Sequence, residues 1–150
     1  MKQRGFEVVS NKFRTTNTDI RLPECATSKS AGYDVFSPKD FILHPGLTHL
    51  VFTDVKAYMQ DDEVLLLLPR SSQGARGIMM ANTVGVIDAD YYNNTKNDGN
   101  IGVMLYNYGS DDYVVNKGDK IGQLIFTKKL MADSGNTDKE RSGGMGSTGV

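Results

Sequence analysis

An all-β domain, a sandwich or a barrel, is the fold class this sequence predicts, and three observations predict it. Short apolar or β-branched runs recur along the chain, each closed by Gly, Pro, Asn or Asp. No stretch holds the 3.6-residue periodicity of a long amphipathic helix, and no internal repeat is present. The length of 150 residues suits one domain, long enough to bury roughly two-thirds of its unfolded surface without staples. A single cysteine, Cys25, excludes an intramolecular disulfide, so no oxidising compartment is required.

In chain order, strands are expected at 6–9 and 41–43, the latter stopped by Pro45-Gly46, and at 48–53. Asp61-Asp62 turns the chain into the apolar run 64–68, and a strand at 84–87 follows. Asp98-Gly99 precedes the strand 101–106, Gly109-Ser110 the strand 113–115, and Gly118-Asp119 the strand 121–126. One short helix is expected from Ser71 to Gly77, with a serine as its N-cap. Residues 92–100 form a polar loop too rich in Asn to be a strand. The last twenty residues hold five glycines and no aromatic residue, a composition that reads as a disordered tail.

Charge and length exclude several functions. Seventeen basic against eighteen acidic residues leave a net charge of −1, without the basic excess of a duplex-DNA or anionic-membrane binder. Two histidines and one cysteine fall short of a structural zinc site. The start of the chain has no apolar h-region, and the longest apolar run, 64–68, is far below the ~20 residues of a membrane helix. The expectation is a soluble cytoplasmic protein, in the host cytoplasm if its source is viral.

Five segments carry candidate chemistry. Gly143-Gly144-Met145-Gly146-Ser147-Thr148-Gly149 offers converging backbone N–H groups and hydroxyls to an anion, with Arg141 upstream as a guanidinium fork; no Lys completes a Walker loop. Leu68-Pro69-Arg70-Ser71-Ser72 places an arginine at a strand end beside serines that open a helical turn, a second phosphate site or an ordinary capped strand end. Asn82 to Tyr91 runs from apolar residues into Asp88 and Asp90, whose i, i+2 spacing puts both carboxylates on one face if the strand continues. A carboxylate at such a strand end acts as a base on water or caps a turn, and Tyr91 offers a flat face or packs. Gly118 to Phe126 buries a polar Gln123 within an apolar strand, and Ala31 to Pro38 sets Asp34 after a glycine bend, where it reads as a turn aspartate.

Taken in order, AGYDVFSP (31–38), PRSSQG (69–74), NTVGVIDADY (82–91), GDKIGQLIF (118–126) and RSGGMGSTG (141–149) resemble the five motifs of the homotrimeric dUTPase family. The resemblance implies a β-barrel or jelly-roll-like (β-clip) subunit with one short helix. It implies a core over 1–130 and a flexible C-terminal arm over 131–150 that closes over the nucleotide. It also implies a homotrimer with shared active sites, hydrolysing dUTP to dUMP and pyrophosphate. By that resemblance Asp88 activates the water that attacks the α-phosphorus, and Tyr91 stacks under deoxyribose and excludes a 2′-hydroxyl. The backbone of Gly85, Val86 and Ile87 pairs with uracil, Asn82 helps fix the base, and Gly102 closes the pocket. Arg70, Ser71, Ser72 and Gln123, from another subunit, hold the α- and β-phosphates. Asp34 orients water around a Mg²⁺ ion held mainly by the triphosphate, and Arg141, Gly146, Ser147 and Thr148 reach the outer phosphates.

Three departures from the family pattern stand out. Met145 takes the place of the aromatic residue that covers uracil, Arg141 lies one residue nearer the double glycine, and the 92–100 loop replaces a short turn. The loop reads as a surface insertion, or else as a gate or a contact for a regulatory protein. A related enzyme class, dCTP deaminase, needs a glutamate near the base, whereas the glutamates here are Glu7, Glu24, Glu63 and Glu140. An idle nucleotide-sensing module is the alternative outside catalysis, and the presence of Asp88 and the tail speaks against it.

Overall fold

A computed structural model describes residues 1–149. Eleven strands lie among the described residues: β1 (Gly5–Val8), β2 (Tyr33–Phe36), β3 (Phe41–Leu43), β4 (Thr48–Phe52), β5 (Val55–Tyr58), β6 (Glu63–Leu68), β7 (Ile78–Met80), β8 (Gly85–Asp88), β9 (Gly102–Asn107), β10 (Tyr113–Val115) and β11 (Lys120–Lys128). The one helix, α1 (Ser71–Ala75), is joined by 3₁₀ turns at Asn11–Phe13 and Ala89–Tyr91. All pairings are antiparallel, in sheets ordered β2-β11-β6-β8, β4-β9-β7, β1-β5 and β3-β10. No helix among the described residues is long and apolar enough to cross a membrane.

The core forms where alternation points inward. Along β6, Leu65 and Leu67 are buried while Leu66 and Leu68 are half-buried on the opposite face, the period of two that a pleated strand imposes. Val103 and Leu105 of β9 do the same, and with Val51, Ile78, Met80, Ile121 and Leu124 they pack into one cluster. At roughly 1.5–3 kcal/mol for each fully buried aliphatic side chain, this cluster is the main driving force for closure.

Three strands escape the sequence pattern. β2 contains Asp34, which reads as a turn residue but lies within the strand, because Arg70 and Lys120 neutralise it. β5 is masked by Lys56, buried and paired with Asp98. β7, rich in Met, exists by pairing with β9. The helix start also differs from expectation: Arg70, not a serine, is the N-cap residue, and its N–H donates to the Gln73 Oε1 at 2.8 Å. Gln73 in turn is buried and donates to the Ile121 carbonyl at 2.8 Å, so the helix is pinned to the sheet from within.

The 92–100 segment is not the surface insertion expected of it. Asn94, Asp98 and Asn100 are buried, because the barrel supplies partners for them. The Asp98 carboxylate accepts from Ser10 N–H at 2.8 Å and from Lys56 Nζ at 2.9 Å. Asn100 exchanges bonds with Asp54, accepting from its N–H and donating to its carboxylate, both at 2.9 Å. Among the described residues no strand or helix follows Lys128, and Arg141, Met145, Gly146 and Thr148 line the cleft along β8.

Candidate functional site

β8 has β6 on one side only, so its other edge is left without a strand neighbour. A cleft of about 240 Å³ opens there, lined by Asn82, Gly85, Val86, Ile87, Asp88 and Tyr91, by Gly102 of β9, and by Arg141, Met145, Gly146 and Thr148 of the arm. Glycine leaves room on two of its sides. A Cβ on Gly85 would stand 2.9 Å from the Leu67 Cβ, and one on Gly102 would stand 2.9 Å from Leu50 Cδ1 and 3.2 Å from Met145 Sδ. Thr83, in the turn leading into β8, has φ of +68°, a conformation that β-branched residues avoid. Its N–H donates to the Met80 carbonyl at 2.9 Å, which holds the turn closed beside the cleft.

Asp88 ends β8, and the chain then enters the 3₁₀ turn instead of continuing as a strand. The two carboxylates converge all the same, on one guanidinium. Arg141 donates through Nη2 to Asp88 Oδ2 at 2.7 Å and through Nε to Asp90 Oδ1 at 2.8 Å. Its side chain is only 8% exposed, while that of Asp88 is 54% exposed. Partial burial works against the Arg141 charge, yet its bonds to Asp90 and Asp88 hold its pKa above the ordinary arginine value. A larger opening of about 770 Å³ continues from Asp88 past Lys129, Lys139, Ser147 and Thr148.

Tyr91 is buried, with its ring on the cleft and Arg141 Cζ 5.6 Å from the ring centroid. Its hydroxyl donates to the Asn100 carbonyl and accepts from Asn97 Nδ2, both at 2.7 Å. Burial pushes the phenol pKa up, so the hydroxyl stays protonated and keeps its donor role at neutral pH.

A second group of expected site residues lies elsewhere. Asp34, Arg70, Ser71, Ser72 and Gln123 line a separate cleft of about 520 Å³. Asp34 Oδ1 is 3.2 Å from Arg70 Nε and its Oδ2 is 2.8 Å from Lys120 Nζ. Gln123 donates to the Pro69 carbonyl at 3.1 Å, and its Oε1 occupies the space a Cβ on Gly32 would need. Strand register separates the two groups. On β6, Val64 is opposite Asp88 and Leu68 is opposite Gln123, with Arg70 two residues further on. Six residues at ~3.3 Å each put Arg70 about 20 Å from Asp88 along the strand.

Sequence reasoning missed the residues that serve the first cleft from the 92–100 segment, Thr95, Lys96 and Asn97, which reach both Tyr91 and the arm. The only trace they left was an Asn-rich composition, which does not specify what an amide bonds. A half-exposed carboxylate, an open strand edge, an aromatic face and a guanidinium beside hydroxyls together suit a substrate with a planar base, a sugar and phosphates.

The comparisons with known proteins agree with that chemistry. The dUTPase family model matches residues 18–149. The deoxyuridine 5′-triphosphate nucleotidohydrolase of Lactococcus lactis is 43% identical, over 100% of both chains. The crystal structure of dUTPase from Streptococcus mutans superposes with a TM-score of 0.75 at 38% identity, covering 87% of this chain and 99% of that one. A mutant dUTPase from phage phi11 of S. aureus, whose structure details the coordination of a structural Mg(II) ion, shares the fold at 21% identity and a TM-score of 0.70, over 92% of this chain and 98% of that one.

Proposed function

The chain belongs to the dUTPase family, and from that premise we infer that it hydrolyses dUTP to dUMP and pyrophosphate. The observation that carries the reading is the cleft in which Asp88, Tyr91, the open edge of β8 and the glycine-rich arm meet. Uracil lies along the backbone of Gly85, Val86 and Ile87, with Asn82 at its side and Met145 over its face. The small pocket rejects the methyl of thymine, and the donor pattern of the strand edge rejects cytosine. Deoxyribose rests on the Tyr91 ring, which leaves no room for a 2′-hydroxyl. Asp88 accepts the proton of a water as that water attacks the α-phosphorus, and pyrophosphate departs. The hydroxyls of Ser147 and Thr148 and the N–H of Gly146 receive the departing charge. Arg141 moves from the carboxylates to the outer phosphates as the nucleotide enters. The consequence is a low ratio of dUTP to dTTP, little uracil in DNA, and dUMP for thymidylate synthesis in the cytoplasm.

A divalent cation fits this chain as an ion carried in by substrate. Among the described residues no three His, Cys, Asp or Glu side chains gather, and Asp34 is paired with Arg70 and Lys120. Mg²⁺ held by the triphosphate would draw charge from the phosphates, and Asp34 is the residue to orient its water.

The same register argues for a shared site. A triphosphate whose α-phosphorus sits at Asp88 does not reach Arg70 of the same chain, about 20 Å away by strand rise. The phosphate contacts of Arg70, Ser71, Ser72 and Gln123 therefore come from a second copy, as in a homotrimer. A regulatory protein at 92–100 would meet the exposed Asn93, Thr95 and Lys96, since the other amides of the loop bond within the chain.

Pyrophosphate release with Mg²⁺ from dUTP, dCTP, dTTP and UTP tests the reading. Cleavage of dUTP alone, lost in Asp88→Asn, is expected; cleavage of dCTP or UTP at a comparable rate would overturn the base or sugar assignment. Refolding Asp88→Asn together with Arg70→Ala is expected to restore activity that neither variant has alone, because a mixed oligomer contains one intact shared site.

A further inference from the structure

The 92–100 segment touches the site and the arm at once. Both hydrogen-bond partners of the Tyr91 hydroxyl, Asn97 Nδ2 and the Asn100 carbonyl, belong to it. The Asn97 amide is itself held, its Oδ1 accepting from Asn94 Nδ2 at 2.6 Å and from Gly99 N–H at 3.1 Å. On its outer side the segment meets the arm's double glycine. Thr95 Oγ1 donates to the Ser142 carbonyl at 3.1 Å. A Cβ on Gly143 would stand 3.0 Å from Lys96 Cδ and Cε, and a Cβ on Gly144 would stand 3.0 Å from Asn97 Nδ2. Gly143 and Gly144 are buried by these contacts although neighbouring arm residues are exposed. The segment is rigid enough to serve as a support, since Asp98 and Asn100 anchor it to Lys56, Ser10 and Asp54 inside the barrel.

We propose that residues 92–100 are the seat of the C-terminal arm, and that Asn97 is a positioning residue that sets the Tyr91 ring and the arm's double glycine in register. Arg141 and Met145 flank the double glycine, so wherever Gly143 and Gly144 rest decides where the guanidinium and the thioether fall over the cleft. A side chain at Gly143 would press on Lys96 and Ser147, and one at Gly144 on Asn97. The role assigned to turnover rests on the dUTP reading of the site; the seat itself does not. The contacts are the same whether the arm belongs to its own subunit or to another.

Limited trypsin digestion of the full-length protein without added nucleotide reads the seat directly, because Lys139 and Arg141 are cleavable residues of the arm and cleavage tracks opening. Thr95→Val is expected to speed cleavage after Arg141 by about three- to tenfold, the worth of its one hydrogen bond to the Ser142 carbonyl, and Asn97→Ala is expected to speed it by removing the side chain against which Gly144 rests. Thr95→Ser, which keeps the hydroxyl, is expected to match wild type, and thermal unfolding of the core is expected not to move in either Thr95 variant, whereas Asn97→Ala, which also loses the bonds to Tyr91, Asn94 and Gly99, is expected to lower it modestly. In steady-state assays Asn97→Ala is expected to lower kcat/KM for dUTP by about tenfold. Unchanged cleavage in both Thr95→Val and Asn97→Ala overturns the seat, whatever the activity does. Faster cleavage with unchanged kcat/KM overturns the positioning role of Asn97. If the wild type leaves dUTP intact, the reading of the site falls, and the cleavage rates still decide the seat.

Discussion

Two aspartates, Asp54 and Asp88, show what separates a structural carboxylate from a chemical one. Asp54 has no exposure and sits at φ of +59°. Its oxygens accept from the N–H and hydroxyl of Thr15 and of Thr16 and from Asn100 Nδ2, at 2.8–3.0 Å, with Arg14 Nε 3.7 Å away. Burial pushes its pKa up, but those bonds win and hold it below the ordinary carboxylate value. Asp88 is half exposed and its charged partner is Arg141, on an arm without regular structure. Every partner of Asp54 is built into the fold, so its charge is committed. The partner of Asp88 rides on a segment that can leave, so its charge is available to a water.

The comparison breaks first at Asp88. Asp88→Asn is expected to cut kcat by about 10²–10⁴-fold, the usual worth of a general base, with Tm unchanged. A fall in Tm instead would place Asp88 with the structural carboxylates. Asp54→Ala is the converse: loss of about 3–5 kcal/mol in denaturant unfolding is expected, because Arg14 and the Thr and Asn donors are left buried without their acceptor.

Acid sharpens the contrast. Asp54 and Asp98 both have folded pKa values depressed by hydrogen bonds against the opposing push of burial. A depressed carboxyl contributes its full stability above its unfolded pKa and loses it as pH falls through the folded one. Tm is therefore expected to be flat near neutrality and to drop below the ordinary carboxylate range. Asp54→Asn should have a lower Tm at neutrality and a shallower acid limb; an unaltered limb would show that Asp54 does not govern it. The smallest effect expected is at the lid. Met145→Phe should lower KM for dUTP by about two- to threefold, since aromatic stacking is worth ~0.5–1.5 kcal/mol against ~0.3–1.5 for a thioether contact. An unchanged or raised KM would show that Met145 covers the base as well as an aromatic residue does.

Legibility followed the range of each interaction. The run 64–68 and the stops at Pro45-Gly46 and Gly118-Asp119 announce β6, β3 and β11, because alternation and turn chemistry are local. β2 and β5 were hidden because each carries a charged residue, Asp34 or Lys56, whose partner lies far along the chain. At the site, Asp88, Tyr91, Asn82 and the arm were found as a motif and do share one cleft, whereas Arg70, Ser71, Ser72, Gln123 and Asp34 do not share it within one chain. No spacing in the sequence announces that separation, which arises from the register of β6 between β8 and β11.

By itself the sequence determined the all-β class and the family, and it pointed to the candidate base and the glycine-rich arm, since these depend on residue type, period and order. The tertiary structure alone decided which carboxylates are spent and which are free, that Arg141 rests on Asp88, and that an Asn-rich loop became a buried support. Hydrogen bonding is the reason. An Asn or an Asp has no preferred partner until folding brings one within 3 Å, and here the partners of Asp98 and Asn100 lie on β5 and on the chain before it, while Asn97 bonds the Tyr91 hydroxyl.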